Sequence, residues 1–96
     1  MASKASLEIR YCVTCGYFWT AAGLAAELAE GHVRETDITL TPVHGGRLEI
    51  YVNGNKVYDR KEATGAADFY PSLHEMRKAK DVLAEAIAKA PADPKG

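Results

Sequence analysis

The stretch from Leu7 to Tyr17 constrains the fold more than any other part of the chain. Leu7, Ile9 and Tyr11 alternate with Glu8 and Arg10, the two-residue period of a strand with one buried and one wet face. Cys12 and Cys15 stand at its end, and Gly16-Tyr17 leads into a run with helical spacing. Phe18, Ala21, Ala22, Ala25, Leu28 and Ala29 fall on the packing face of a helix from Phe18 to Glu30. Gly31 suits the left-handed residue just past its end. Ile38 and Leu40 then alternate with polar neighbours in a second strand, Thr36 to Thr41. A strand, a helix and a strand in so short a span predict a βαβ unit with parallel strands and a right-handed crossover.

The rest of the chain supplies antiparallel partners and a second helix. Pro42-Val43-His44-Gly45-Gly46 breaks the strand pattern and predicts a loop. Arg47 to Val52 and Asn55 to Asp59 flank Asn53-Gly54, which predicts a β-hairpin. A turn centred on 53–54 pairs Ile50 with Val57, and one centred on 54–55 pairs Val52 with Val57; face pattern alone leaves both open. A long connection, Arg60 to Pro71, precedes Ser72-Leu73-His74-Glu75, which has the form of a capping box. The following helix carries Met76, Ala79, Leu83, Ala86, Ile87 and Ala90 as its apolar stripe and stops at Pro91. Residues 1–5 read as a flexible N-terminus, 6–90 as a single domain and 91–96 as a tail. The order β-α-β-β-β-α predicts an α/β fold with a four-stranded mixed sheet and two helices. With a Cys-x-x-Cys beside the βαβ unit, the expected arrangement is thioredoxin-like.

Composition narrows the function classes. The chain has 96 residues, is 47% apolar and 26% charged, and carries a net charge of -1. It lacks the basic field of a nucleic-acid-binding protein, and no apolar run reaches bilayer length. No secretory signal is evident at the start, so the expectation is a cytoplasmic protein with neither nucleic acid nor membrane as partner. In a reducing compartment a lone cysteine pair points to catalysis or metal binding rather than to a staple, and a bridge over so short a loop would stabilise little. The N–H groups at a helix start favour thiolate over thiol, which predicts a dithiol/disulfide site at Cys12 and Cys15. Zinc is the rival reading. It needs two more ligands, and His32, His44 and His74 lack the paired spacing, although His44 could approach if its loop packs beside the cysteines.

Around the pair, Tyr17, Phe18 and Trp19 form an aromatic cluster. Phe18, with or without Trp19, is expected to anchor the helix in the core, while a ring left exposed would give an apolar rim for a thiol partner. Pro42, His44, Phe69 and Tyr70 are further candidates for a substrate or partner rim. Pro42 lies where a cis proline would be placed beside the cysteines, but trans is the default for a loop proline. His44 alone reads as an exposed loop residue, and Gly45-Gly46 as a tight turn into the next strand. His32 and His74 suit helix ends and need no function.

The run Tyr11-Cys12-Val13-Thr14-Cys15-Gly16-Tyr17, the Thr41-Pro42 step, the glycine-bearing loop before Leu48-Glu49-Ile50 and the Val52-Asn53-Gly54 turn resemble the selenoprotein W family. That group is also called Rdx and is related to selenoproteins T, H and V; the resemblance spans about Leu7 to Ala90. It implies a thioredoxin-like fold and a thiol-based redox role in cell redox homeostasis or antioxidant defence, with glutathione as reductant, no bound cofactor, and protein partners. Vertebrate relatives carry selenocysteine where this chain has Cys15, so the sulfur form needs a lowered pKa to match a selenol. A thioredoxin-type mechanism points to Cys12 as the attacking sulfur, whereas the family's selenocysteine position points to Cys15; the reading adopted is attack by Cys15 and resolution by Cys12. The chain lacks thioredoxin's Trp before the motif and its Gly-Pro between the cysteines. Two functions follow: a glutathione-linked thiol–disulfide oxidoreductase acting on mixed disulfides, glutathionylated proteins or peroxide, and a non-catalytic redox-responsive protein-binding module.

Overall fold

The computed structural model describes residues 4–62 and 70–89. Strand β1, Ala5–Cys12, is central to a four-stranded sheet of order β2-β1-β3-β4. Ala5, Leu7, Ile9 and Tyr11 turn to the buried face, while Glu8 and Arg10 line the other. The strand opens two residues earlier than the alternation suggested, because Ala5 pairs with Thr36. Helix α1, Phe18–Leu28, returns the chain through a short 3-10 turn, Val33–Glu35, to β2, Thr36–Val43, which pairs parallel with β1.

Three details of this first unit differ from expectation. The helix stops at Leu28 rather than Glu30, and a turn closed by His32 N–H donating to the Ala29 carbonyl follows it. Leu24, absent from the expected packing face, is fully buried with Ala21, Ala25 and Leu28. Pro42, expected in a loop, lies inside β2 opposite Tyr11, and its peptide bond is trans. Strand geometry explains how β2 keeps it. Val13 N–H donates to the Val43 carbonyl at 3.0 Å, so Val43 faces β1 and its neighbour Pro42 faces the free edge. An outward position has no ladder hydrogen bond to lose.

Strands β3, Leu48–Val52, and β4, Asn55–Asp59, form the hairpin. Asn53 (φ 51°) and Gly54 (φ 82°) both adopt positive φ, the two-residue turn that matches strand twist. Val52 pairs with Asn55 and Tyr51 with Lys56, but the register then shifts and Ile50 pairs with Tyr58. The 53–54 centre therefore holds, yet Val57 sits opposite neither Ile50 nor Val52. It is the extra residue of a bulge. The shift carries Tyr58 onto the buried face, where a ring fills more of the core than Val57 would.

Helix α2, Leu73–Lys89, starts on the expected capping box: Glu75 N–H donates to Ser72 Oγ at 3.2 Å, and Ser72 N–H to Glu75 Oε1 at 3.0 Å. Its Met76, Ala79 and Leu83 join Leu24, Leu28, Leu7, Ile9, Leu48, Ile50 and Val52 in a single core cluster. Both helices thus cover one face of the sheet. The opposite face is polar: Arg47 forms a two-pronged pair with Glu49 (2.8 and 3.0 Å), Tyr51 donates to the same carboxylate at 2.8 Å, and Arg10 lies 4.2 Å over the Tyr51 ring. Thr41 donates to Glu8, which also pairs with Arg10 at 3.3 Å. Charged pairs on this face lie along single strands, and Thr41 and Tyr51 link them across β2, β1 and β3.

Candidate redox site

The site is built at the C-terminal end of the central strand. Cys12, the last residue of β1, donates its N–H to the Arg47 carbonyl at 2.8 Å, while Val13 beside it bonds Val43. Both neighbouring strands therefore fix where β1 stops. The chain then turns tightly: Gly16 N–H donates to the Val13 carbonyl at 3.1 Å and Tyr17 N–H to that of Cys12 at 3.2 Å. Gly16 has φ +76°, and a Cβ there would meet nothing within 4 Å. Glycine is required at that point by the backbone, not by crowding.

This turn brings Cys12 and Cys15 together as a disulfide with a Cα–Cα distance of 5.3 Å. Their environments differ. Cys12 is fully buried, whereas Cys15 is exposed. The Thr14 hydroxyl donates to Cys12 Sγ at 3.4 Å, so the inner sulfur has a polar neighbour within its own turn. Helix α1 begins only at Phe18, with Tyr17 as its uncapped N-terminal boundary, and its first hydrogen bond runs from Ala21 N–H to the Tyr17 carbonyl at 2.9 Å. The helix thus starts at Phe18, as expected, and its free N–H groups follow the pair by three residues in sequence.

The aromatic cluster also departs from its expected role. Phe18 is 44% exposed and Trp19 79% exposed, so neither anchors α1 in the core. Phe18 shares the phase of the buried stripe, but it stands where the sheet no longer offers cover. It meets the Tyr11 ring edge-on at 5.7 Å, and Trp19 packs edge-on against it at 5.3 Å. With Val13, half exposed within the motif, these rings leave apolar surface open on residues that flank Cys15 in sequence. Tyr17 is partly buried, with the Arg60 guanidinium 5.7 Å from its ring centre.

Of the other candidates, Pro42 is exposed one register step from the Cys12–Val43 pair, and His44 is exposed immediately after β2. Tyr70 is exposed, and partial burial of its hydroxyl raises its phenol above the usual value, with the charge of Glu27 adding to the shift. Phe69 lies outside the described residues. Among the described residues no group of three or more His, Cys, Asp or Glu side chains gathers that could hold a metal.

Sequence reading missed Thr14, Arg47 and Arg60. Arg47 offers the carbonyl that fixes Cys12, while its side chain holds Glu49. Arg60 donates from Nη1 to the Gly46 carbonyl at 3.3 Å, tying the loop before β3 to Tyr17, and its Nε is buried without a partner among the described residues. Thr14 was visible as a polar residue between two cysteines. The arginines gave no local signal, since their importance comes from register.

A four-stranded mixed sheet in this order, with both helices on one face and a Cys-x-x-Cys disulfide at the end of its central strand, defines a thioredoxin-like protein. The chain belongs to the Rdx family, whose model matches residues 6–80. Among solved structures it is similar to the selenoprotein W-related protein from Vibrio cholerae, at 32% identity and a TM-score of 0.70, over 88% of this chain and 98% of that one. It is also similar to a protein from Bordetella parapertussis, at 27% identity and a TM-score of 0.69, over 83% and 99% of the two chains. No functionally curated protein matches the chain.

Proposed function

We propose that the protein is a thiol–disulfide redox protein in which Cys15 exchanges with the partner and Cys12 resolves the mixed disulfide. The observation that carries this is the burial difference between two bridged sulfurs: only the outer one is open to attack. In the reduced protein the Cys15 thiolate attacks a partner disulfide, forming one S–S bond and releasing one partner thiolate. The Cys12 thiolate then attacks Cys15 Sγ, and the second partner thiolate leaves with its electrons. Two glutathione thiols, oxidised to glutathione disulfide, would restore the dithiol. The expected setting is the cytoplasm, in redox homeostasis or antioxidant defence, and family membership supports that direction.

The test is trapping. Cys12→Ser is expected to accumulate a mixed disulfide with a glutathionylated peptide through Cys15, and Cys15→Ser to accumulate none. Trapping by Cys15→Ser instead would reverse the roles, and no adduct from either variant would sink the reading.

The exposed apolar surface of Val13, Phe18 and Trp19 favours one second reading, a redox-responsive protein-binding module. Such a module would bind its partner in one oxidation state with negligible turnover in a glutathione-coupled disulfide assay.

A further inference from the structure

Most cations near the disulfide are already committed. Arg10 pairs with Glu8 and covers Tyr51, Arg47 holds Glu49, and Arg60 is bound to the Gly46 carbonyl beneath a buried flank. Lys61 is not committed. Its ammonium forms no ion pair or hydrogen bond among the described residues, and it lies over Gly45, where a Cβ built on that glycine would meet Nζ at 3.8 Å. The backbone of Lys61 is fixed separately, by its N–H donating to Asp59 Oδ1 at 3.0 Å.

The loop beneath this ammonium has a matching polarity. The carbonyls of Gly46 and Arg47 are turned inward, accepting from Arg60 and from Cys12 N–H. The N–H groups of His44, Gly45, Gly46 and Arg47 donate to no acceptor among the described residues. Gly45 and Gly46 reach this course with φ of +82° and +70°, which side-chain-bearing residues adopt only under strain. N–H groups and an ammonium that have no partner among the described residues favour an anion. The loop is joined to the redox turn at both ends, through Val43 to Val13 and through Arg47 to Cys12.

We propose that the His44–Arg47 loop and Lys61 form a carboxylate subsite beside the disulfide, holding an acidic group of the thiol that enters at Cys15. The proposal rests on the redox reading above and deepens it. The entering thiolate bonds to Cys15 Sγ as the Cys12–Cys15 bond breaks, and Cys12 leaves as a thiolate that takes a proton from water. A second thiol then displaces Cys15, so two thiols are oxidised to one disulfide as the pair is reduced. A carboxylate on the entering thiol is what the subsite recognises, whether in glutathione or beside a protein cysteine.

The experiment follows reduction of the Cys12–Cys15 disulfide in the full chain by glutathione, by a cysteine peptide with an acidic neighbour, and by neutral 2-mercaptoethanol, at equal thiolate concentration. The ratio of glutathione to 2-mercaptoethanol rates is expected to fall about threefold in Lys61→Ala and about tenfold in Lys61→Glu, with high salt shrinking both effects. Loss confined to the peptide would assign the subsite to protein partners; loss with glutathione assigns it to the tripeptide. An unchanged ratio in both variants, or an equal fall with 2-mercaptoethanol, overturns the subsite and leaves the redox reading standing. A disulfide that no thiol reduces overturns both. Lys61 is exposed, and circular dichroism confirms that each variant is folded before its rates are compared.

Discussion

Cys12 and Cys15 belong to one turn but face different surroundings, and that difference follows from single residues on either side. Cys12 is still a strand residue, held by Arg47, whereas Cys15 stands beyond the last ladder bond. The motif itself was legible in the sequence. The neighbours that separate the two sulfurs were not, because Arg47 and Val43 arrive by pairing from distant parts of the chain. Glu49 shows the same limit. It reads as a surface residue of an alternating strand, yet it is 6% exposed, covered by its bonded partners. Hydrogen bonds from Arg47, with Tyr51 assisting, hold its carboxyl at about 2 against a burial that pushes it up. The folded pKa is depressed, so the stabilisation is complete above about pH 4.5 and is lost as pH falls toward about 2. Glu8 shifts in the same direction through Thr41 and then Arg10. Wild type is therefore expected to lose on the order of 2 kcal/mol more than Glu49→Gln over that window. Urea unfolding across a pH series reads it, and parallel curves would contradict the assignment.

At the scale of elements, period and caps located the four strands and two α-helices and most of the side chains that they bury, but not all of them. The alanine-rich face of α1 was clear, while Leu24 was overlooked and Phe18 was placed inside. The reason is where the cover ends: β1 stops at Cys12, so the first turn of α1 projects past the sheet. Leu24→Ala is thus expected to lose about 3 kcal/mol, and Phe18→Ala less than about 1 kcal/mol. Chemical denaturation of the two variants checks this, and a larger loss at Phe18 would show that its ring is structural after all. The hairpin repeats the lesson. Asn53-Gly54 announces the turn, but the bulge at Val57 answers the core's demand for the Tyr58 ring, a tertiary requirement with no local mark. Pro42 read as a strand breaker because an outward-facing edge position looks like any other until the sheet order is known.

For the whole molecule, the mixed sheet and the two helices were legible from the order of elements alone. That both helices share one face and leave the other to bonded charges depends on how the stripes meet, which periodicity does not contain. The open face matters to the site because its charges are mutually satisfied. Among the described residues they leave Lys61 as an unpaired cation over Gly45, in the loop joined to the cysteine turn.

The position of β1 also has a mechanical side. A partner bonded to Cys15 is attached to the end of the central strand, which pairs over eight positions with β2 and five with β3. Tension between that partner and a handle on α2 pulls β1 lengthwise, so its ladders resist in shear with many hydrogen bonds sharing the load. Tension entering at the hairpin tip, through a handle at Asn53, would unzip β4 one pair at a time. Single-molecule pulling is expected to show the higher rupture force for the Cys15 attachment, and equal forces would contradict it. On that expectation, a cargo tethered at Cys15 loads the sheet along the direction in which it resists most.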